Sequence, residues 1–446
     1  MKLNNNNQIV LARKYFAVVI TFVISLIVIE QTDDVLAHIL SMLALCFVAV
    51  CVVKFDILHP YCWFSGFFGI YSVGYPILYY IGFPSFVGYT KNTMIYQLVA
   101  LFVSLLLITP VNHTKKIGNS NLNLKKFIIS NTSLNKYVYW IMLGLITVAA
   151  VLVSRMGFSG KDDIYKSGNI VLIAIFRLPL IIALFYTIQT VSYYIVKNKY
   201  PIRQSFLTLF CLLLITIFSG ERDFVFRFLI MGLFVLFFLG KVNFKQLIII
   251  ILFMVPLVPL SAMYKYYFLG GDIGNQADFG LLYSVIAGEF ESATRNLQML
   301  VNNSSQTLGS KGYILLINDV VGVFNSNIQS SVSWFNETFY PNDPVEYGFT
   351  LVGEGYIVDG MMGICVVFSI MALIVRWMYK NAFKSIYFFS GYIYFITIMI
   401  YAMRGDLGTV YSALFKQIFF MILFFKWLEH ISKKQIKNNE KLLVRL

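Results

Sequence analysis

The chain alternates long apolar runs with short polar segments, and these runs define its fold class. Each run is long enough, or nearly so, to cross about 30 Å of hydrocarbon as a helix. None shows the ten-residue alternation of an outer-membrane strand. The sequence therefore predicts an all-α polytopic membrane protein of about 12 transmembrane helices, at 15–30, 35–53, 62–82, 93–110, 137–154, 170–196, 204–218, 224–240, 245–264, 361–378, 386–403 and 409–428.

Charge is distributed unevenly between the two ends of these runs. If the chain crosses the membrane alternately from a cytoplasmic N-terminus, the cytoplasmic side holds 23 of the 35 Lys and Arg residues but 3 of the 21 Asp and Glu residues. This is the positive-inside pattern, and it places both termini in the cytoplasm. We therefore attribute the net charge of +14 to basic residues that set the membrane orientation and contact anionic lipid. No nucleic-acid partner is expected.

One connection is much longer than the others. The segment 265–360 is rich in Gly, Asn, Ser and acidic residues, and it has helical patterns at 281–301 and 312–323. A loop of this length is usually functional. We expect a single integral membrane domain over 1–446, with 265–360 as a large periplasmic loop within it.

The first apolar run ends without a small-residue cleavage site, so the sequence predicts a retained helix and not a signal peptide.

The amino-acid composition and the known sequence motifs limit the kinds of protein and site that the chain can contain. Hydrophobic residues make up 59% of the chain and charged residues 13%, which excludes a soluble domain of this length. The four histidines are scattered, and HExxH, CxxC, Walker and GxGxxG patterns are all missing. The sequence therefore gives no support for a metal ion or a cofactor.

Two cations lie inside apolar runs. Arg177 and Lys416 fall roughly 10 and 15 Å below the outer boundary, at about 1.5 Å per residue. A central Arg or Lys costs about 2.5–3.5 kcal/mol on insertion scales, so it normally faces a partner or a water-filled cavity. Each could instead snorkel or cap a carbonyl group. Because no acidic residue lies deep in any run, an anionic ligand would supply the missing counter-ion, and a proton-coupled carrier is disfavoured.

Further arginines lie at the predicted outer boundary. Asp223 and Arg227 are four residues apart, which is also the spacing of an ordinary helix ion pair. Arg222 and Arg404 have no acidic partner at helical spacing. Guanidinium groups grip phosphate at two points, and a helix N-terminus adds backbone donors. The pattern predicts a binding site for a lipid-linked phosphate or diphosphate.

Two carboxylates in the long loop are candidates for acid–base chemistry. Glu291 and Arg295 are four residues apart, so they are either a structural pair or part of a substrate site. Glu354 lies in the glycine-rich segment 347–363, which predicts a tight re-entrant corner that presents a carboxylate. The alternative is that Glu354 caps a helix.

With these residues in place, the chain resembles the bacterial O-antigen polymerases of the Wzy type and the broader oligosaccharide-repeat-unit polymerases. The resemblance covers most of the chain in layout, with about a dozen spans, cytoplasmic termini and one large late periplasmic loop. At residue level it rests on Ser219-Gly220-x-Arg222, Arg295-Asn296-Leu297, Gly353-Glu354-x-Tyr356, Gly360, Gly363 and Arg404-Gly405-Asp406.

The resemblance implies a metal-independent glycosyltransferase of the membrane-embedded C type in the bacterial inner membrane, acting in lipopolysaccharide biosynthesis. It would move a growing glycan from undecaprenyl diphosphate onto a lipid-linked repeat unit at the periplasmic face. Glu354 first, and Glu221 second, would take the proton from the acceptor hydroxyl. The diphosphate would be held by cations drawn from Arg177, Arg222, Arg404, Lys416, Arg295 and Arg227.

The expected partners are undecaprenyl-diphosphate-linked oligosaccharide, membrane lipid, a chain-length regulator protein and a flippase. Three alternatives stay open. Related ligases carry a loop histidine near the position of Glu354, and this chain has none there, which favours a polymerase. A flippase or transporter for the same lipid would explain the cations but not the single long loop. The Asp33-Asp34 pair hints at a different lipid-linked-sugar glycosyltransferase, but its loop is very short.

Overall fold

The computed structural model describes residues 5–83, 87–111, 122–156, 164, 168–197, 199–219, 221, 223–254, 290–303, 307–322, 324, 328–341, 349–424, 426–427 and 430. Over these ranges the regular structure is helical and contains no strand, which confirms the all-α prediction.

The helices follow the apolar runs closely. The first ten are α1 Asn5–Gln31, α2 Val35–Val52, α3 Pro60–Tyr80, α4 Lys91–Ile108, α5 Leu122–Met156, α6 Ile170–Phe176, α7 Leu178–Lys197, α8 Ile202–Ser219, α9 Asp223–Phe238 and α10 Phe244–Met254. The later ones are α11 Ser292–Asn302, α12 Ser310–Val321, α13 Ser331–Phe339, α14 Leu351–Ala382, α15 Ile386–Ala402, α16 Leu407–Ala413 and a π-helical segment Leu414–Phe419.

Within the described ranges, eight helical stretches are long and apolar enough to cross a membrane, as expected of a multi-pass membrane protein. They are Gln8–Gln31, Val35–Val52, Lys91–Ile108, Tyr137–Arg155, Val171–Ile195, Ile202–Ser219, Leu351–Ala382 and Leu407–Phe424. The predicted count of twelve is higher because it includes α3, which is rich in Gly and Tyr, and α9, α10 and α15, which span 16, 11 and 17 described residues.

The predicted run 170–196 is divided at Arg177 into α6 and α7. Pro179 explains the break, because its ring lacks an N–H donor and clashes with the backbone of the preceding turn. Helical hydrogen bonding nevertheless continues on both sides: the Arg177 N–H donates to the Ile173 carbonyl at 3.2 Å, and the Leu180 N–H donates to the Arg177 carbonyl at 3.2 Å.

The chain divides into two compact units. The first contains Met1–His113, Asn275–Lys380 and Ile398–Leu414, and the second contains Thr114–Gly274, Asn381–Thr397 and Phe415–Leu446. In the first unit, α1 to α4 form a helical layer in which α2 packs on α1 and α3. In the second, α5 packs on α7 and α8, and the Tyr139 hydroxyl is hydrogen-bonded to the Thr208 hydroxyl.

The loop helix α11 is docked onto α3 and α4 by a buried polar face. The Thr294 hydroxyl donates to the Tyr71 carbonyl at 2.7 Å and accepts from the Gln97 amide at 2.8 Å. The Gln298 side chain accepts from the Thr90 backbone N–H at 2.9 Å, just before α4 begins. These hydrogen bonds between distant segments hold α11 against the helical layer.

The loop helices differ in extent from their predictions. The pattern at 281–301 corresponds to α11 at Ser292–Asn302, with 281–289 outside the described residues, and the pattern at 312–323 corresponds to α12 at Ser310–Val321. Helix α13, Ser331–Phe339, was not predicted, because its nine residues are too few for a clear apolar period.

Candidate functional site

The glycine-rich segment at the start of α14 forms the predicted tight corner. Two helical segments meet at Asp359 and Gly360, where Gly360 has φ +51°, a conformation that L side chains rarely adopt. Beyond the corner the segments touch backbone to backbone, since a Cβ atom added at Gly363 would lie 2.1 Å from the Gly355 carbonyl oxygen. The glycines therefore fix the direction of the short segment that carries Glu354.

The Glu354 carboxyl, which the sequence predicted this corner to present, is buried, with 0% exposure. Its Oε2 atom accepts a hydrogen bond of 2.8 Å from the backbone N–H of Leu407, the first residue of α16. Glu354 thus caps a helix, which was the alternative interpretation, although the helix belongs to a distant part of the chain.

Asp319 of α12 lies against Glu354. The two carboxyl groups are in hydrogen-bonding contact, and Asp319 is 3% exposed. The Asp319 Oδ1 atom accepts from the Ser331 N–H at 3.0 Å, at the first residue of α13. Burial raises the pKa of the Asp319 carboxyl, and the charge of Asp406 raises it further, while hydrogen bonds from Glu354 and Ser331 oppose the shift.

Arg404 lies in the turn that leads into α16. Asp406, the N-cap of α16, accepts from the Thr409 N–H at 2.8 Å and from the Thr409 hydroxyl at 2.6 Å. The Arg404 guanidinium lies over the Tyr401 ring, with Cζ 5.0 Å from the ring centroid. Because Asp406 and Glu354 already occupy N–H groups of α16, a phosphate at this turn would rely on the guanidinium and not on those donors.

Helix α11 also reaches this corner. A Cβ atom at Gly353 would lie 2.8 Å from the Leu300 Cδ1 atom, so α11 packs directly on the residue before Glu354. On α11, Arg295 and Glu291 form the predicted i,i+4 pair, with Nη1 2.7 Å from Oε1. Burial raises the pKa of Glu291, and Arg295 opposes that shift. The structure thus contains the ion pair that the spacing predicted.

The second unit holds four of the predicted site residues that the structure describes. Arg227 lies 3.5 Å from Asp223, as the spacing predicted, and also contacts the Tyr394 hydroxyl. That hydroxyl in turn donates to the Gln417 side chain in the π-helical segment. Lys416 precedes Gln417 and is exposed in the same segment. A π-helical turn within an α-helix frequently marks a functional position.

Arg177 and Glu221 complete the set in the second unit. Arg177 is exposed at the break between α6 and α7. Glu221 is partly exposed after α8, where its backbone N–H donates to the Ser219 hydroxyl at 3.3 Å and its carbonyl accepts from the Thr216 hydroxyl at 3.0 Å. The predicted phosphate ligand Arg222 lies outside the described residues.

Asp319 and Asp406, the two acidic residues that interact with Glu354, were not among the site residues predicted from the sequence. Asp319 shares one helix face with Gly312 and Leu315, both buried, and an acidic residue on an apolar face was the available signal. Asp406 carries the signature of an N-cap directly before an apolar run. Over the described ranges, no three His, Cys, Asp or Glu side chains are arranged to hold one metal ion.

Comparisons with protein-family models, with curated proteins and with solved structures gave no match for this chain.

Proposed function

We propose that this protein is a polysaccharide polymerase that joins undecaprenyl-diphosphate-linked oligosaccharide repeat units into O-antigen or a related surface polysaccharide. The proposal includes twelve spans in a bacterial inner membrane, cytoplasmic termini, and catalysis at the periplasmic face, where 265–360 forms the large loop. The loop-by-loop basic bias of the sequence supports this orientation.

The observation that carries the proposal is the convergence of three segments on which the resemblance depends. The Arg295 helix packs on Gly353, and Glu354 caps the helix that begins directly after Arg404-Gly405-Asp406. These segments are far apart in the sequence and belong to one compact unit. Short motifs that occur by chance in a membrane protein would not be expected to lie together in the fold.

The proposed reaction balances as a single group transfer. A hydroxyl oxygen of the acceptor repeat unit forms a bond to the anomeric carbon of the donor glycan. The bond from that carbon to undecaprenyl diphosphate breaks, and the diphosphate leaves with the electron pair. The hydroxyl proton passes to a carboxylate. Arg404 supplies a planar two-point contact to the leaving diphosphate, whose charge grows as the bond breaks.

Two carboxylates are candidates for the proton acceptor. A general base must lie about 2.6–3.2 Å from the hydroxyl, or be linked to it through one water. Glu354 is fully buried and already accepts a backbone hydrogen bond, whereas Glu221 is partly exposed. Glu221 is therefore the more exposed of the two carboxylates. Comparing Glu221→Gln with Glu354→Gln in a transfer assay tests the choice, because only the variant of the acting base loses transfer at normal protein amount.

A cell-based accumulation assay tests the function. Loss of a polymerase leaves single repeat units that still reach the surface, whereas loss of a flippase strands repeat units on the cytoplasmic leaflet. Loss of a ligase leaves long chains on the lipid carrier. We expect a deletion strain to display surface glycan capped with single repeats and the restored gene to return the long-chain ladder. Stranded repeat units, or long chains left on the carrier, would overturn the proposal.

A further inference from the structure

We infer that Asp319 and Glu354 share one proton and, as a proton-bridged pair, position the turn that carries Arg404. The inference rests on the proposed function, because it gives the pair a task in holding the diphosphate ligand. It makes both acids positioning residues and not catalytic residues, since each acts through α16 and the turn before it.

Each carboxyl uses one oxygen to cap a helix. The Asp319 Oδ1 atom accepts from the first N–H of α13, and the Glu354 Oε2 atom accepts from the first N–H of α16. The remaining oxygens, Oδ2 and Oε1, are buried and receive no hydrogen from any described N–H or O–H donor. The two carboxyl groups are in contact, so a proton held between them would give these oxygens a partner.

The charges around the pair favour this proton. Among the described residues, the titratable groups that face it are Asp406, at the start of α16, and Tyr411 on the same helix. Two adjacent buried carboxylates cannot both ionise at low cost, and Asp406 adds a third negative charge. One shared proton converts this repulsion into a short, strong hydrogen bond between the carboxyl groups.

The Asp319–Glu354 pair connects the loop helix α12 directly to the turn that carries Arg404. A Cβ atom at Gly408 would lie 3.3 Å from the Asp319 carbonyl oxygen, so α12 packs on the backbone of α16. Another at Gly312 would lie 2.7 Å from the Ile357 carbonyl oxygen, which joins α12 to the Glu354 segment as well. Opening the pair therefore requires α12 and α16 to separate, and Arg404 is three residues before the capped N–H of Leu407.

The hydrogen-bond pattern makes an unusual prediction for amide substitutions. In Glu354→Gln the amide oxygen still accepts from Leu407, and its NH₂ group donates to the Asp319 carboxylate. In Asp319→Asn the oxygen still accepts from Ser331, and the NH₂ group donates to Glu354. Each single variant thus keeps the bridge without a shared proton. In the double variant two NH₂ groups face each other, and neither has an acceptor.

Thermal unfolding of the full-length protein in detergent tests this pattern. We expect each single variant to lower the unfolding temperature by less than about 2 °C, and the double variant to lower it by at least twice the sum of the single effects. The substitution Glu291→Gln, outside the pair, is a control for the loss of a partly buried carboxylate. Additive effects in the double variant would overturn the shared proton.

The pH dependence provides a readout that ordinary packing does not affect. The folded pair keeps a proton that the unfolded chain releases above the usual carboxyl range near pH 4. The raised pKa of Asp319 means that this stability is complete below that range and is lost as pH rises through the folded-state value. We expect the wild type to lose stability with rising pH and Glu354→Gln to lack that loss. Equal slopes would overturn the inference.

Glycan extension measured on the same variants separates this inference from the proposed function. We expect Asp319→Asn to retain extension and to lose less of it at alkaline pH than the wild type does. If Asp319→Asn folds normally but abolishes extension, Asp319 acts on the reaction itself and the positioning role is wrong, while the polymerase proposal stands. If the wild type extends no glycan, the function is wrong, and the unfolding cycle still decides the proton bridge.

Discussion

The Oε2 atom of Glu354 accepts a hydrogen bond of 2.8 Å from the backbone N–H of Leu407, 53 residues later in the chain. This bond joins the glycine-rich corner of α14 to the helix that begins directly after the Arg404 turn. A carboxylate at a helix N-terminus satisfies a backbone donor and interacts favourably with the helix dipole. Two segments with no local reason to interact are thereby held at one place.

Removing this cap should destabilise the protein. Glu354→Ala deprives Leu407 of its acceptor and leaves a cavity beside Asp319, so we expect a loss of about 2–3 kcal/mol in the free energy of unfolding. Denaturant unfolding in detergent, followed by intrinsic fluorescence, measures it. Glu30→Ala, an exposed carboxylate at the end of α1, is the control and should change stability by less than about 0.5 kcal/mol. Equal effects of the two variants would show that the cap is dispensable.

The close approach at the α14 corner gives a second prediction. Gly363→Ala places a methyl group 2.1 Å from the Gly355 carbonyl oxygen, which forces the two segments apart. We expect the variant to unfold several degrees lower than the wild type. Gly144→Ala in α5, whose added Cβ meets nothing within 4 Å, is the matched control and should be neutral or stabilising, since Ala favours helix. A neutral Gly363→Ala variant would contradict the described packing.

Arg404 provides the test of the proposed phosphate contact. If it grips a diphosphate, Arg404→Lys should be nearly as damaging as Arg404→Ala, because an ammonium keeps the charge but loses the planar two-point contact. Loss of such a contact in the transition state slows transfer by about 10²-fold or more. Chain length of the surface glycan and protein amount in the membrane measure the effect.

The control for Arg404 is Arg376→Ala, whose guanidinium donates to the Leu107 carbonyl at 3.2 Å and has no role in the proposed site. We expect this variant to support normal chain length. Normal chain length in Arg404→Ala, or disappearance of that variant from the membrane, would make Arg404 a structural residue.

Orientation is tested by labelling single cysteines in a background in which the five native cysteines are replaced. A membrane-impermeant thiol reagent should reach a cysteine at Asn303 from outside and should fail to reach one at Lys125 or Lys434 in intact cells. The basic bias of the segments that the sequence predicts to be cytoplasmic is the physical reason. Labelling at Lys125 but not at Asn303 would show the opposite orientation, in which the proposed active face is not periplasmic.

Local features of the structure were predictable from the sequence. Apolar runs gave helices because backbone groups in lipid must be paired within one segment. The Asp223–Arg227 and Glu291–Arg295 pairs formed because residues four apart share a helix face. The turn at Asp359–Gly360 followed from glycine, which alone adopts its positive φ readily.

Contacts between distant segments were not predictable in the same way. Asp319 meets Glu354, and Glu354 meets Leu407, through packing of three helices whose mutual arrangement no local period encodes. For this reason the glycine-rich segment predicted a corner at Glu354 but not the helix N-terminus that its carboxyl caps. The relation between Arg404 and the α16 N-terminus likewise depends on which carboxylates already occupy its donors.

Extension of lipid-linked repeat units by the purified protein tests the proposed polymerase activity. The full-length protein, reconstituted in lipid with undecaprenyl-diphosphate-linked repeat units, should build chains of several repeats without nucleotide sugar and in excess chelator, with release of undecaprenyl diphosphate. Arg376→Ala should do the same, and Arg404→Ala should yield at least about 10²-fold less product. Unextended repeat units from intact wild-type protein, or a strict need for a divalent ion or a nucleotide sugar, would contradict the account.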